Sequence, residues 1–211
     1  MYIIGKEYFI RNLHVPNTEE PTSDASIDLE MSIDRYCRQY MQMTLGNVLF
    51  PDFDSYVTDG ELEITAPQKW LNLVNGCYYT KDGVDYVWQG LKYELGLYKV
   101  SLLANYTYVN HYQNTTNSIL GQIAIEPKNG VVVNPTDHLL SVWNEFVEMY
   151  QGNSKHYVNS KNNRIDFDCV VYECKENQSG YVSYLQFLQD NKEDYPDFKA
   201  GIINFKNSLG I

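Results

Sequence analysis

The stretch from Trp88 to Tyr112, WQGLKYELGLYKVSLLANYTYVNHY, constrains the fold more than any other. Its apolar positions Trp88, Leu91, Leu95, Tyr98, Leu102, Tyr106, Val109 and Tyr112 recur at steps of three and four, the spacing of a helix face turned to a core. The spacing predicts one helix over 88–112, roughly 40 Å long at 1.5 Å per residue. Burying that face contributes on the order of ten to twenty kcal/mol gross, most of it offset by conformational entropy. Gly90 and Gly96 inside it each cost about 1 kcal/mol relative to Ala, which implies a neighbouring backbone in close approach.

Three further helices are predicted around it. One starts near Ser26, with Asp24 or Ser26 as N-cap, and carries Ile33, Tyr36, Cys37, Tyr40, Met41, Thr44, Leu45 and Val48 on one face to about residue 47. Gly46 and Pro51 then call for a break. The second opens at Pro67, carries Trp70, Leu71, Leu73 and Val74, and ends at Gly76. The third follows Pro135 with Thr136 as N-cap, carries Leu139, Leu140, Trp143, Phe146, Val147 and Tyr150, and is closed by Gly152. A shorter helix over 181–191 carries Leu185 and Leu188.

Between these helices, residues 1–15 read as a short strand and turn, 51–66 as a helical turn with a loop, and 113–118 as the end of the helical pattern. Asp82-Gly83, flanked by Tyr78, Tyr79, Val84, Tyr86 and Val87, is a hairpin signal. Residues 119–134 read as two short β segments and 153–164 as a solvated loop. The alternation from Ile165 to Tyr172 reads as a strand or hairpin arm paired with 119–134. The expected fold is therefore mainly α, a bundle of four to five helices with a small β-hairpin or arm appendage, and α+β as the second choice. A body over 1–152, an extended arm over 153–180 and a C-terminal helix and tail over 181–211 complete the organisation.

Charge and composition narrow the function. A formal net charge of -11 argues against a protein that wraps nucleic acid, whose phosphates demand Lys and Arg clusters. An acidic surface lets DNA pass without sticking, although negative charge also serves plain solubility. The 19 tyrosines suit contact surfaces that are wet before assembly and buried after it. Cys37, Cys77, Cys169 and Cys174 are widely spaced, and the start MYIIGKEYFIRNL lacks the features of a signal peptide, so reduced cytosolic thiols are expected. Both thiols of Cys169 and Cys174 cannot face one side of a strand, which argues against zinc. No apolar run is long enough to predict a membrane span.

Convergent reactive groups are not evident. His14, His111, His138 and His156 are scattered and lack metal-ligand spacing, so structural or surface roles are the better reading. Glu145 and Glu148, three apart, read as a solvated helix face rather than an acid/base pair. Asn105-Tyr-Thr107, Asn114-Thr-Thr116 and Asn177-Gln-Ser179 match glycosylation acceptors, a pattern common by chance. No catalytic, cofactor-binding or metal residue is expected. The candidates for contact with partners are apolar residues of the β segments, the arm and the tail: Ile119, Ile123, Ile125, Val131, Val133, Ile165, Phe167, Phe198, Ile202, Ile203, Phe205 and Leu209. For the tail, and equally for the arm at 153–180, packing back onto the chain's own domain is the other reading.

Five stretches, in order, resemble the neck proteins of crAss-like tailed bacteriophages: residues 33–56 (IDRYCRQYMQMTLGNVLFPDFDSY), 70–80 (WLNLVNGCYYT), 85–106 (DYVWQGLKYELGLYKVSLLANY), 137–150 (DHLLSVWNEFVEMY) and 183–198 (SYLQFLQDNKEDYPDF). The shared pattern is a helix ending in a Leu-Gly turn, a Trp-bearing helix with a Gly turn, a Trp-x-Gly-Leu start and a late Leu-x-x-Phe-Leu-x-x-Asn run before Asp-Tyr-Pro. The Asn-rich arm at 151–180 falls outside it. The resemblance implies a non-enzymatic virion protein, a head-completion adaptor that assembles in the host cytoplasm and closes a ring beneath the portal, of twelve copies. Its implied partners are further copies of itself, the portal, neighbouring neck and tail rings, and DNA as passing cargo. A small intracellular enzyme or ligand-binding domain with an aromatic pocket is the alternative.

Overall fold

Helix-period segments and Gly-marked turns divide the chain into five α-helices and four two-stranded antiparallel hairpins among the described residues. The structure, a computed structural model, describes residues 2–118, 135–158, 164–169, 181–201 and 203. The mainly α fold with small β appendages is as expected.

The opening residues form no strand. Ile3 at φ +68 and Arg11 at φ +54 turn the chain out of the extended region, and two single-turn 3₁₀ helices, Lys6–Tyr8 and Arg11–Leu13, take its place. Tyr2, Ile3 and Ile4 are nonetheless buried, and the Ile3 N–H donates to the Gly60 carbonyl at 2.6 Å.

Helix α1 spans Asp24–Asp54 and is capped by Ser23 rather than by Asp24 or Ser26, and the Ser23 Oγ accepts the Ser26 N–H at 3.2 Å. Leu29, Ile33, Tyr36, Cys37, Tyr40, Met41, Thr44 and Leu45 are its buried face. The expected break falls at Gly46, at φ +73 and ψ -178, after which helix resumes through Pro51. The kink also turns Val48, expected on the buried face, out to 70% exposure. Beside the kink, the Thr44 carbonyl accepts the Lys199 N–H at 2.7 Å.

Strands β1 (Val57–Thr58) and β2 (Glu61–Leu62) then form a hairpin where a helical turn was expected. Asp59 and Gly60 both have positive φ, the requirement of a two-residue I′ turn. Helix α2 (Gln68–Asn75) follows Pro67 and buries Trp70, Leu73 and Val74. Strands β3 (Cys77–Lys81) and β4 (Val84–Trp88) pair about Asp82-Gly83 as the sequence predicts.

The largest departure lies in the stretch 88–112. Its first half is not helix but a third hairpin, β5 (Lys92–Leu95) with β6 (Tyr98–Ser101), turned by Gly96 and Leu97. Gly90 at φ +100 and Gly96 at φ +63 lie outside helical space, and this decides the matter. The close approach inferred from Gly90 is real, since a Cβ there would sit 2.6 Å from the Val74 carbonyl oxygen, but the one inferred from Gly96 is not, since nothing lies within 4 Å of a Cβ there. Helix α3 starts only at Leu102 and runs through the expected stop to Ser118. Residues 102–109 are buried throughout because α3 packs against both α1 and the next helix.

Helix α4 (Pro135–Gln151) begins one residue earlier than predicted, which puts Thr136 inside it, and buries Val142, Phe146, Val147, Met149 and Tyr150. The expected loop at 153–164 is corrected in part: β7 (Asn153–Val158) pairs with β8 (Arg164–Cys169), so the partner of the 165 strand is β7. The segments expected at 119–134 lie outside the described residues. Helix α5 (Tyr184–Asp190) is capped by Ser183. Tyr40 is the hub of the core, with Tyr106, Phe146, Tyr184 and Tyr150 ring centroids at 5.2, 5.9, 5.9 and 6.3 Å. Among the described residues, no helix is long and apolar enough to cross a membrane.

Candidate interaction surface

The β5–β6 hairpin projects an apolar tip. Leu97 in its turn is 97% exposed, and Leu95 and Tyr98 beside it are 55% and 42% exposed. Its base is fixed: Ser101 Oγ donates to the Leu91 carbonyl at 2.7 Å and accepts the Leu103 N–H at 3.1 Å, while Lys92 Nζ reaches the Ile3 carbonyl at 2.9 Å. A rigid base with an apolar end is a shape suited to docking. A second, separate set of exposed apolar side chains lies on α1, where Ile27 and Met31 share one face at 45% and 66% exposure.

Behind the hairpin lies a cleft of about 270 Å³, walled by β6, the two 3₁₀ turns, α3 and α4. Arg11 lies over the Tyr98 ring, 4.4 Å from its centroid, and is exposed. Lys99 reaches Glu7 at 3.4 Å and lies 5.6 Å from the Tyr8 ring centroid. Burial, then the charges of Glu7, Glu61 and Glu94, push the Tyr8 hydroxyl up to about 12, so it stays a neutral donor. Asn105 of α3 is 2% exposed, and among the described residues its Nδ2 has no hydrogen-bond partner. Glu145 lines the same cleft, half-buried and engaged within the chain. Glu148 is half-buried too and is likewise engaged within the chain.

Three of the histidines have partners of their own. His111 Nδ1 is 2.8 Å from Ser32 Oγ, and burial, only partly opposed by the charge of Asp28, lowers its pKa. His138 Nε2 is 2.7 Å from the Asn12 carbonyl, and His14 is 3.9 Å from Glu19. Among the described residues, no group of three or more His, Cys, Asp or Glu is placed to hold a metal ion. What the cleft offers is recognition of hydrogen-bond acceptors, through the Arg11 guanidinium and the Asn105 amide.

Of the partner-contact candidates, Phe198 and Ile203 are half-buried against the chain's own core. The Ile203 N–H donates to Gln151 Oε1 at 2.7 Å, and Tyr150 Oη donates to the Gly201 carbonyl at 2.7 Å. For these two the tail packs back on its own domain. Ile165 and Phe167 lie on β8, opposite Tyr157 and Lys155 of β7. Ile119, Ile123, Ile125, Val131, Val133, Ile202, Phe205 and Leu209 lie outside the described residues. Sequence reasoning missed Arg11, Asn105 and Leu97. The signal for Asn105 was an amide set among Leu102, Leu103, Ala104 and Tyr106, which a glycosylation pattern disguised.

Comparison of the chain with family models, with curated proteins and with solved structures returns no match.

Proposed function

We propose that this chain is a structural subunit of a homo-oligomeric ring, a head-to-tail adaptor in the neck of a tailed bacteriophage that guides DNA from the portal. The observation that carries the reading is exposed apolar side chains on two different elements, the Leu95–Leu97–Tyr98 tip and the Ile27–Met31 face of α1. A cyclic ring is closed by heterologous contacts, so each subunit needs two different surfaces that complement each other. The helical body with projecting hairpins and the net charge of -11, suited to a wall past which DNA slides, add support. The ordered resemblance of five stretches to phage neck proteins supplies the location in the virion and the twelve-fold count.

Sedimentation and negative-stain electron microscopy of the purified protein, alone and with a portal, test this reading. Closed rings are expected, and Leu97→Asp should weaken them while leaving the circular dichroism spectrum unchanged. A protein that stays monomeric at high concentration with and without the portal overturns the proposal. A melting temperature raised by a small metabolite bound in the cleft of a lone monomer would select the second reading, a ligand-binding domain.

A further inference from the structure

We infer that the cleft behind the β5–β6 hairpin receives an acidic side chain, an Asp or Glu of a second copy of this chain, and that this pairing is the polar centre of the subunit contact; the inference rests on the ring reading. Three observations converge on it. The buried amide of Asn105 is left without an acceptor among the described residues, and a buried donor without a partner calls for one to be supplied. Arg11 is held in the left-handed region at φ +54, its guanidinium lying over Tyr98, with no acidic partner among the described residues. Backbone strain at an exposed Arg that lines a cleft is the kind found at ligand clamps.

The rim identifies the occupant as protein. Leu95 and Tyr98 line the cleft and are themselves exposed apolar residues, continuous with Leu97 at the tip. Polar anchors ringed by apolar side chains are the anatomy of a protein contact, where Tyr and Arg act as anchors and the ring excludes water. Charge selects the partner. Among the described residues of the lining, Lys99 is met by Glu7, Glu145 is engaged within the chain and Arg11 faces no carboxylate, whereas the chain as a whole carries 27 acidic against 16 basic residues. A second copy thus presents mainly carboxylates to a cleft built from donors, and a carboxylate takes the planar fork of Arg in bidentate fashion.

The test uses the full chain with a photoreactive p-benzoylphenylalanine in place of Leu97, together with sedimentation of the wild type, Arg11→Glu, Arg11→Lys and Asn105→Leu. Cross-links should join two copies and map to a segment bearing Asp or Glu. Arg11→Glu, at an exposed site, should weaken self-association roughly 10- to 100-fold with an unchanged melting temperature, and Arg11→Lys should restore part of it. Asn105→Leu should weaken association while leaving the monomer folded. If the wild type forms rings and Arg11→Glu forms them equally well, the inference is overturned and the ring reading stands. Cross-links confined to a segment without carboxylates overturn it likewise. A wild type that stays monomeric, with a melting temperature raised by glutarate, assigns the cleft to a free carboxylate and overturns both.

Discussion

Replacing Tyr40 by Phe should stabilise this protein, although Tyr40 lies at the centre of its core. The side chain is fully buried, and among the described residues its hydroxyl has no hydrogen-bond partner. Burial, then the nearby hydroxyls of Tyr184, Tyr150 and Tyr106, push its pKa well up, so the group is a neutral donor at every ordinary pH. An unsatisfied buried hydroxyl costs about 1–3 kcal/mol. Removing the oxygen leaves a hole no larger than a water, about 10–15 Å³, which at roughly 24 cal/mol per Å³ costs about 0.3 kcal/mol. The four ring contacts at 5.2–6.3 Å are kept by Phe. The net gain is about 1–2.5 kcal/mol, which at about 2–4 °C per kcal/mol for a chain of this size raises Tm by about 2–10 °C. Urea unfolding followed by circular dichroism reads the change as a higher midpoint at constant slope. Tyr184→Phe is the internal control. That hydroxyl is 3.0 Å from Thr44 Oγ1, so its removal should cost about 1 kcal/mol. A Tyr40→Phe protein as destabilised as Tyr184→Phe would refute the reasoning, since it would mean that the Tyr40 hydroxyl is hydrogen-bonded.

Asp190 ties α5 to the β3–β4 hairpin, accepting from Lys81 Nζ at 2.5 Å, Tyr79 Oη at 2.8 Å and Gln186 Nε2 at 2.8 Å. Burial alone would raise its pKa, but the donors Lys81, Gln186 and Tyr79 outweigh it and hold the carboxyl below its ordinary range. Its stabilisation is therefore complete above the unfolded value near ~4 and is lost as pH falls through the folded value. Asp190→Asn should cost about 1–2 kcal/mol at pH 7 and flatten the acid limb of a stability–pH curve. Gly90→Ala should cost about 2–5 kcal/mol, from a left-handed φ of +100 and a Cβ 2.6 Å from the Val74 carbonyl oxygen. Gly83→Ala, at φ +78 with no atom within 4 Å of its Cβ, should cost only about 1–2 kcal/mol, and parallel denaturant curves compare the two. Burial pushes the Cys37 thiol up to about 12, so mass-spectrometric mapping after iodoacetamide at pH 8 should find Cys37 unlabelled in the native protein and labelled in urea, with half-buried Cys77 labelled first.

The sequence carried the helix faces well, because α1, α2 and α4 each bury one stripe against the core and leave another wet. It failed where period was ambiguous. Over 88–101, apolar residues three and four apart satisfied a helix template, yet Trp88, Leu91, Leu95 and Tyr98 belong to strands and turns. Treating Gly90 and Gly96 as tolerated helix interruptions, rather than as positive-φ positions, produced that error. Asp82-Gly83 was legible because long aromatic flanks announced strands. Asp59-Gly60 makes the same turn, but its two-residue arms, Val57–Thr58 and Glu61–Leu62, are too short to alternate. The cleft was invisible for another reason: Arg11, Tyr98, Asn105 and Glu145 come from four elements, and only tertiary packing brings them together.

The bend at Gly46 ties the order of synthesis to the order of folding. The carbonyl of Thr44 beside it is met by the amide of Lys199, so a helix that leaves the ribosome early is completed by a segment translated some 150 codons later. Until that segment emerges, the Thr44 carbonyl lacks the partner that it has in the finished protein. A stop codon placed just before residue 198 would therefore weaken α1, far from the cut in sequence and adjacent to it in space.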